Sequence, residues 1–270
     1  MKKSNPLFRW AKISILIYSV LGIAFYWLQE KIIFHPIAIT DGVPYRFDQP
    51  FKEINLDIDD ATHFNIIDFT VPDSIKKGVV LYFHGNKENV NHYAKFAKNF
   101  TSNGWEVWMV DYPKFGKSTG ELTENNLYEE AIQVYKLARV KQQPNQIIIY
   151  GKSIGTGIAA QLASIRDCRE LILETPYKSM VSLVRHYTWI LPVETLLHYK
   201  LPTDQYLKKV TAPITIFHGT KDGLIPLSNA KELMSSFKPN DQFFTIENGN
   251  HHNLNEFPLM QENLKRILTR

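Results

Sequence analysis

Apolar and polar positions divide the chain into two unequal parts. The first is an unbroken apolar run from Ile13 to Leu28, with no charge between Lys12 and Glu30. At 1.5 Å per residue, about 18 residues cover roughly 27 Å, enough to cross a bilayer's hydrocarbon layer with Lys12 and Lys31 reaching outward at the ends. Tyr26 and Trp27 fall where interfacial aromatic residues collect. A cleaved signal peptide would carry a shorter apolar region and a small-x-small exit, but Phe25-Tyr26-Trp27-Leu28 stands there. A helix buried in a soluble domain would show a polar face, and this run has almost none. The pattern predicts a basic N-terminus over 1–12 and a retained transmembrane signal-anchor over 13–30. A connector follows over 31–50, with Pro36, Pro44, Pro50 and a turn at Asp41-Gly42.

Beyond residue 50 the period shortens. Residues 51–58 and 64–71 alternate and predict a hairpin-like strand pair at a sheet edge. Continuous apolar runs then recur at 79–83, 107–110, 147–150, 171–173 and 214–217, as expected of strands buried on both faces of a parallel sheet. Helical spacing lies between them, most clearly Leu127, Ala131, Val134, Tyr135 and Ala138 behind a Thr123 N-cap. Strands alternating with helices over 51–270 predict an α/β fold with a mostly parallel, doubly wound sheet. The apolar segment 176–212 is too long for a simple connection. Two readings of it stand equal: one packing helix plus a loop, or a helical cap shaping an apolar substrate pocket.

Composition narrows the partners. With 270 residues and 44% hydrophobic content the chain can bury one sizeable core. Four of its 31 basic residues, Lys2, Lys3, Arg9 and Lys12, precede the first acidic one, leaving 27 against 27 acidic. The folded part is therefore neutral, which gives no support to a nucleic-acid surface. The basic start sets the N-terminus in the cytoplasm and the domain on the other side of the membrane, as a single-pass protein. The lone Cys168 allows no internal disulfide, and nothing near it suggests a nucleophile.

The candidate chemistry begins where the run 147–150 breaks into Gly151-Lys152-Ser153-Ile154-Gly155 and an apolar helical pattern follows at once. Strand, tight turn and helix in that order describe a nucleophile elbow, with Ser153 held on a strained turn and glycines where side chains would clash. Gly116-Lys117-Ser118-Thr119-Gly120 fits the same pattern. It lies well past its strand and runs into polar residues, so Ser118 is expected to be a loop residue. A phosphate-binding loop would need glycine where Gln146 stands, which argues against nucleotide.

A serine hydroxyl needs a histidine to take its proton and a carboxylate to orient that histidine. Asp222 follows the run 214–217, and His251 follows the apolar 243–246, giving the order Ser, Asp, His. His252 is the alternative base, which order alone leaves open. Backbone N–H groups of Ile154 and of Asn86, after the strand end Phe83-His84-Gly85, are expected to face the oxyanion. His84 itself is expected to hold the loop.

These motifs, together with Asp111-Tyr112-Pro113-Lys114-Phe115-Gly116 and His218-Gly219-Thr220-Lys221-Asp222, resemble the α/β-hydrolase superfamily over roughly 51–270. With the apolar N-terminus and Ile32-Ile33-Phe34-His35-Pro36 after it, the chain looks like the membrane-anchored, Bem46-like branch. The resemblance implies an α/β-hydrolase fold and cofactor-free hydrolysis of an ester or thioester, with a small or lipid-like acyl substrate and no metal. Two positions depart from the branch's pattern: Pro113-Lys114 replaces the usual Arg-Gly, and His251-His252-Asn253 replaces the usual His-Asn-Asp. The rivals are a serine peptidase on the same fold and a membrane-tethered binding module without catalysis.

Overall fold

The computed structural model describes residues 6–40 and 42–270, so Lys2, Lys3 and Asp41 of the expected basic start and turn lie outside the described residues. The apolar runs are strands because each is covered on both faces. In chain order they are β1 (Phe51–Asp57), β2 (His63–Phe69), β3 (Gly78–Phe83), β4 (Trp105–Asp111), β5 (Ile147–Lys152), β6 (Glu170–Glu174), β7 (Ile214–Gly219) and β8 (Gln242–Ile246). They form one sheet in the order β1-β2-β4-β3-β5-β6-β7-β8. Every residue of β3, β5, β6 and β7 is buried. The expected edge hairpin is β1 and β2, antiparallel to each other, with β2 antiparallel to β4. From β4 to β8 all pairings are parallel.

Alternate residues of each strand feed different layers. Val79, Leu81, Phe83 and Ile149 pack into one core with Leu127 and Ala131. Val80, Tyr82, Ile148 and Tyr150 pack into the other with Phe100, Trp105 and Leu264. Each fully buried Phe, Ile or Leu contributes about 1.5–3 kcal/mol. The helices include α1 (Pro6–Ile33), which stands mostly clear of the sheet, and α2 (Glu124–Arg139), α3 (Gly155–Ala163), α4 (Met180–Tyr187), α5 (Val193–Leu196), α6 (Thr203–Leu207) and α7 (Pro258–Thr269). As its spacing predicts, α2 starts on Thr123, whose hydroxyl accepts from Asn126 N–H at 3.1 Å.

The chain steps from β3 outward to β4 and then crosses back to β5 on the other side of β3. Strand order reverses there, and a crevice opens at the carboxyl ends of β3 and β5. Segment 176–212 folds as α4, α5 and α6 beside that crevice. Met180 and Leu183 are buried in the core while Tyr187 is exposed, so the segment both packs and overhangs.

At 28 residues, α1 extends beyond the expected 13–30 span at both ends. Residues 6–28 are largely exposed, apolar from Ile13 onward, but Gly22, Phe25, Gln29 and Ile33, spaced along one helical face, turn towards the domain. The connector is pinned as well. His35–Pro36 pair parallel with Lys87–Glu88, His35 N–H donates to Asn86 O at 2.8 Å, and Ile39 N–H donates to Gly116 O at 2.6 Å. Two-residue strands carry no periodicity, which is why the sequence reads only as a linker there.

Candidate active site

β5 ends in the turn that carries Ser153. Its φ of +53° is in the left-handed region, strained for a side-chain-bearing residue. Ser153 N–H donates to Glu174 O at 2.9 Å, and Thr156 N–H donates back to Ser153 O at 3.0 Å. The flanking glycines are sterically required. A methyl on Gly155 would lie 2.2 Å from Phe83 O, and one on Gly151 would lie 2.6 Å from Gly155 O.

Ser153, Asp222 and His251 come together from three strand ends. His251 Nε2 is 2.9 Å from Ser153 Oγ, and His251 Nδ1 is 2.8 Å from Asp222 Oδ2. With Nδ1–H donating to the carboxylate, Nε2 is left to accept the serine proton. The other Asp222 oxygen accepts from Leu224 N–H at 2.9 Å and Ile225 N–H at 2.8 Å. Burial pushes the Asp222 carboxyl up, but the hydrogen bond and charge of His251 and these two amides outweigh it. It stays below its ordinary value, ionised and held in place.

His252 does not share this geometry: its ring stands edge-on to His251 at 5.1 Å and lines the cavity. Burial, then the neighbouring His251, lowers its basicity. Ser118 is 4% exposed and distant in role, its hydroxyl accepting Asn65 N–H at 2.8 Å. Here Gly116 is needed because a methyl would meet Asp111 Oδ2 at 1.9 Å. The second Gly-x-Ser-x-Gly is thus a corner of the Tyr45, Asn65 and Asp111 network. His84 is fully buried, with Nδ1 2.7 Å from Gly85 O and Nε2 3.3 Å from Asp111 Oδ1, and fastens the loop.

Asn86 and Ile154 flank Ser153 at the ends of the neighbouring strands β3 and β5, and all three line one cavity. A side chain at Gly85 would strike Tyr93 Oη at 2.7 Å, so the approach to Asn86 depends on glycine. Two cavities of opposite character meet at Ser153. One, of about 150 Å³, is walled by Ile32 and Ile33 of α1, by Met180, Leu183 and Val184 of α4, and by Leu224. The other, of about 300 Å³, is bordered by Lys87, Lys95, Lys152, His92 and His252, with no carboxylate among its lining residues. Among the described residues no three His, Cys, Asp or Glu side chains converge to hold a metal ion.

Supporting residues escape sequence reasoning. His218, buried four positions before Asp222, donates from Nε2 to Ile225 O at 2.9 Å and lies 3.6 Å from Asp222 Oδ2. Burial lowers its basicity, so it supports the acid's turn as a neutral donor. Lys152, beside the serine, is buried and ion-paired with Glu174, which also accepts from Tyr150 Oη and from Asn255 Nδ2 at 3.0 Å. Neither pairing leaves a local trace: the Lys152 partner lies at the end of the next strand, 22 residues on.

Comparison with known proteins agrees with this architecture. The family described as serine aminopeptidase, S33, matches residues 74–205. Human protein ABHD12B is 29% identical over 175 residues, 57% of this chain and 48% of that protein. Alpha/beta hydrolase domain-containing protein 17C of Xenopus tropicalis is 28% identical over 193 residues, 70% of this chain and 61% of that protein. The matches thus span from about half to three-fifths of those relatives' own length. Among solved structures, the Pyrococcus furiosus esterase Pf2001 superposes with a TM-score of 0.67 at 16% identity, over 88% of this chain and 98% of that one. Est1E of Butyrivibrio proteoclasticus, solved with ferulic acid, gives 0.64 at 18% identity, over 80% of this chain and 97% of that one. At such identities the likeness is one of fold.

Proposed function

We propose that this chain, a member of the α/β-hydrolase superfamily, is a membrane-anchored serine hydrolase that cleaves a carboxylic ester or thioester through an acyl-enzyme. The observation that carries the reading is the hydrogen-bonded line Ser153 Oγ, His251 Nε2, His251 Nδ1, Asp222 Oδ2 at 2.9 and 2.8 Å.

In the mechanism, Ser153 Oγ attacks the acyl carbonyl carbon as its proton passes to His251 Nε2. Asp222 stabilises the imidazolium through the Nδ1–H bond. The carbonyl oxygen becomes an oxyanion received by the N–H groups of Asn86 and Ile154. Collapse expels the alcohol or thiol, which takes the proton from His251. Water then enters by the same base, and the acid leaves with Ser153 restored. The steps need no cofactor. The apolar cavity suits the acyl chain, and α1 holds the domain at the membrane with its N-terminus cytoplasmic.

The family's serine aminopeptidase description raises peptide cleavage as the second reading. Holding a free α-amino group calls for a carboxylate near the nucleophile, and none lines either cavity. Ester chemistry is therefore favoured over aminopeptidase chemistry.

Labelling with a fluorophosphonate probe tests the proposal. Wild type and Ser118→Ala should label and Ser153→Ala should not. A wild type that neither labels nor turns over p-nitrophenyl esters would overturn it and leave a binding module on this fold.

A further inference from the structure

The unusual contact lies outside the catalytic line, between the apolar helix and the cap. α5 packs against α1 at Gly22, where a methyl would make ordinary contact with Leu196 Cδ1 at 3.9 Å. The His198 ring stands edge-on to Tyr26 at 4.4 Å. Gln29 is 1% exposed, donates to Leu196 O at 3.0 Å and accepts His198 N–H at 2.7 Å. Gly22 lies about 13 Å along the helix from Lys31, at the middle of the apolar run rather than its end. A helix that crosses a membrane while α5 lies beside Gly22 carries the cap down with it.

The cap's own surface agrees. Between α4 and α5, Trp189 is 83% exposed, and Tyr187, Ile190 and Leu224 beside it are exposed too. Apolar patches of this kind normally mark a binding surface. Arg185 and Glu194, charges flanking the patch, are paired with each other. Tyr187 Oη is tied to Leu224 O at 2.7 Å, which joins the cap to the turn after Asp222. Tyr187 and Leu224 also border the apolar cavity, which Ile32 and Ile33 of α1 line as well.

We infer that the 187–197 cap segment is embedded in the leaflet where α1 leaves the membrane, with α5 reaching the depth of Gly22, so that the apolar cavity opens sideways into lipid. Acyl chains then reach Ser153 from the bilayer without crossing water. The occupant is the bilayer itself, argued from the packing of α5 and His198 along the apolar run of α1 and from the exposed residues 187, 189 and 190 that lead into α5. This rests on reading α1 as membrane-spanning and the adjoining cavity as the acyl site.

Spin labels on the full chain in lipid vesicles test it. Single cysteines at Trp189→Cys, Ile190→Cys and Val140→Cys would each be placed in a Cys168→Ser background. Val140 is 75% exposed at the end of α2, which precedes the amino-terminal edge of β5 and so lies away from the cap. Labels at 189 and 190 should collide more with oxygen than with a water-soluble nickel chelate, and the label at 140 should do the reverse. Labels at 189 and 190 as water-accessible as the one at 140 would overturn the inference. As a second readout, Trp189→Ser/Ile190→Ser should raise the KM for a bilayer-embedded long-chain ester on the order of tenfold. Turnover of a short soluble ester should not change. If 189 and 190 lie in lipid but no ester is turned over, the hydrolase reading fails and this placement stands. If esters are cleaved while both labels face water, the placement fails alone.

Discussion

Gly155→Ala is the sharpest probe of the geometry around Ser153. The added methyl would stand 2.2 Å from Phe83 O, where ordinary contact begins at 3.4 Å, so α3 and the end of β3 must part by about 1.2 Å. His84 O, at 2.6 Å, blocks the obvious sideways escape. Ile154 moves with α3, while Asn86 follows β3, so the displacement opens the gap between the two proposed oxyanion donors. Losing one such donor costs 10²–10³ in kcat, about 2.7–4 kcal/mol, and overpacking costs stability by roughly 1–3 kcal/mol. The Ser153–His251 bond need not break, so KM for a short ester should change far less than kcat. Steady-state kinetics on a p-nitrophenyl ester, with thermal melting in the same detergent, reads both quantities. Gly223→Ala, where a methyl meets open space, is the control. A folded Gly155→Ala variant with kcat within about threefold of wild type would refute the reasoning, because no donor pair could survive that displacement unpaid.

Asp222→Asn keeps the shape of the triad but favours the wrong imidazole tautomer, so kcat should fall by about 10⁴ with melting little changed. Lys152→Met leaves Glu174 charged and buried and should cost about 3–5 kcal/mol by denaturant unfolding. The double Lys152→Met/Glu174→Gln should recover much of that loss, and an additive double variant would sink the ion-pair account. Glu130 is fully buried on α2 with no hydrogen-bond partner among the described residues, and burial, then the Asp111 charge, pushes its carboxyl well above the usual range. Its folded form therefore binds a proton that the unfolded chain gives up near its ordinary value. That stability is present in acid and drains away as pH rises above the carboxylate range. The advantage of Glu130→Gln over wild type should widen from about pH 5 to pH 8, and a constant difference would contradict the assignment.

The sheet was legible because strands buried on both faces must be apolar at every position, as 147–150 and 214–217 are. Ser153 was legible because its turn forces glycines at 151 and 155, and steric necessity leaves a fixed spacing. Asp222 and His251 were read from chain order, and choosing between His251 and His252 required the 2.9 Å contact to Ser153. Lys114 adopts φ +73°, a backbone that suits the glycine expected there, and its ammonium pairs with Glu30 at 2.6 Å. That compensation joins residues far apart in the chain and leaves no local trace. The same holds for Gln29, which in sequence is one polar residue at the end of an apolar run. In segment 176–212, Met180 and Leu183 of α4 are buried and also line a cavity beside Ser153, an arrangement composition does not distinguish from simple packing.

Asn86 is gripped from behind by the far end of α1. Its carbonyl accepts His35 N–H at 2.8 Å, and its side-chain amide donates to Ile33 O. A soluble version cut after residue 33 would lose more than its attachment. It would shed the Ile33 carbonyl that holds the Asn86 side chain, leaving only the His35 contact, along with two side chains of the apolar cavity. Any activity measured on such a trimmed protein would describe a different enzyme. For the same reason, a force that tilts the helix acts on the loop that carries Asn86, one of the two proposed oxyanion donors.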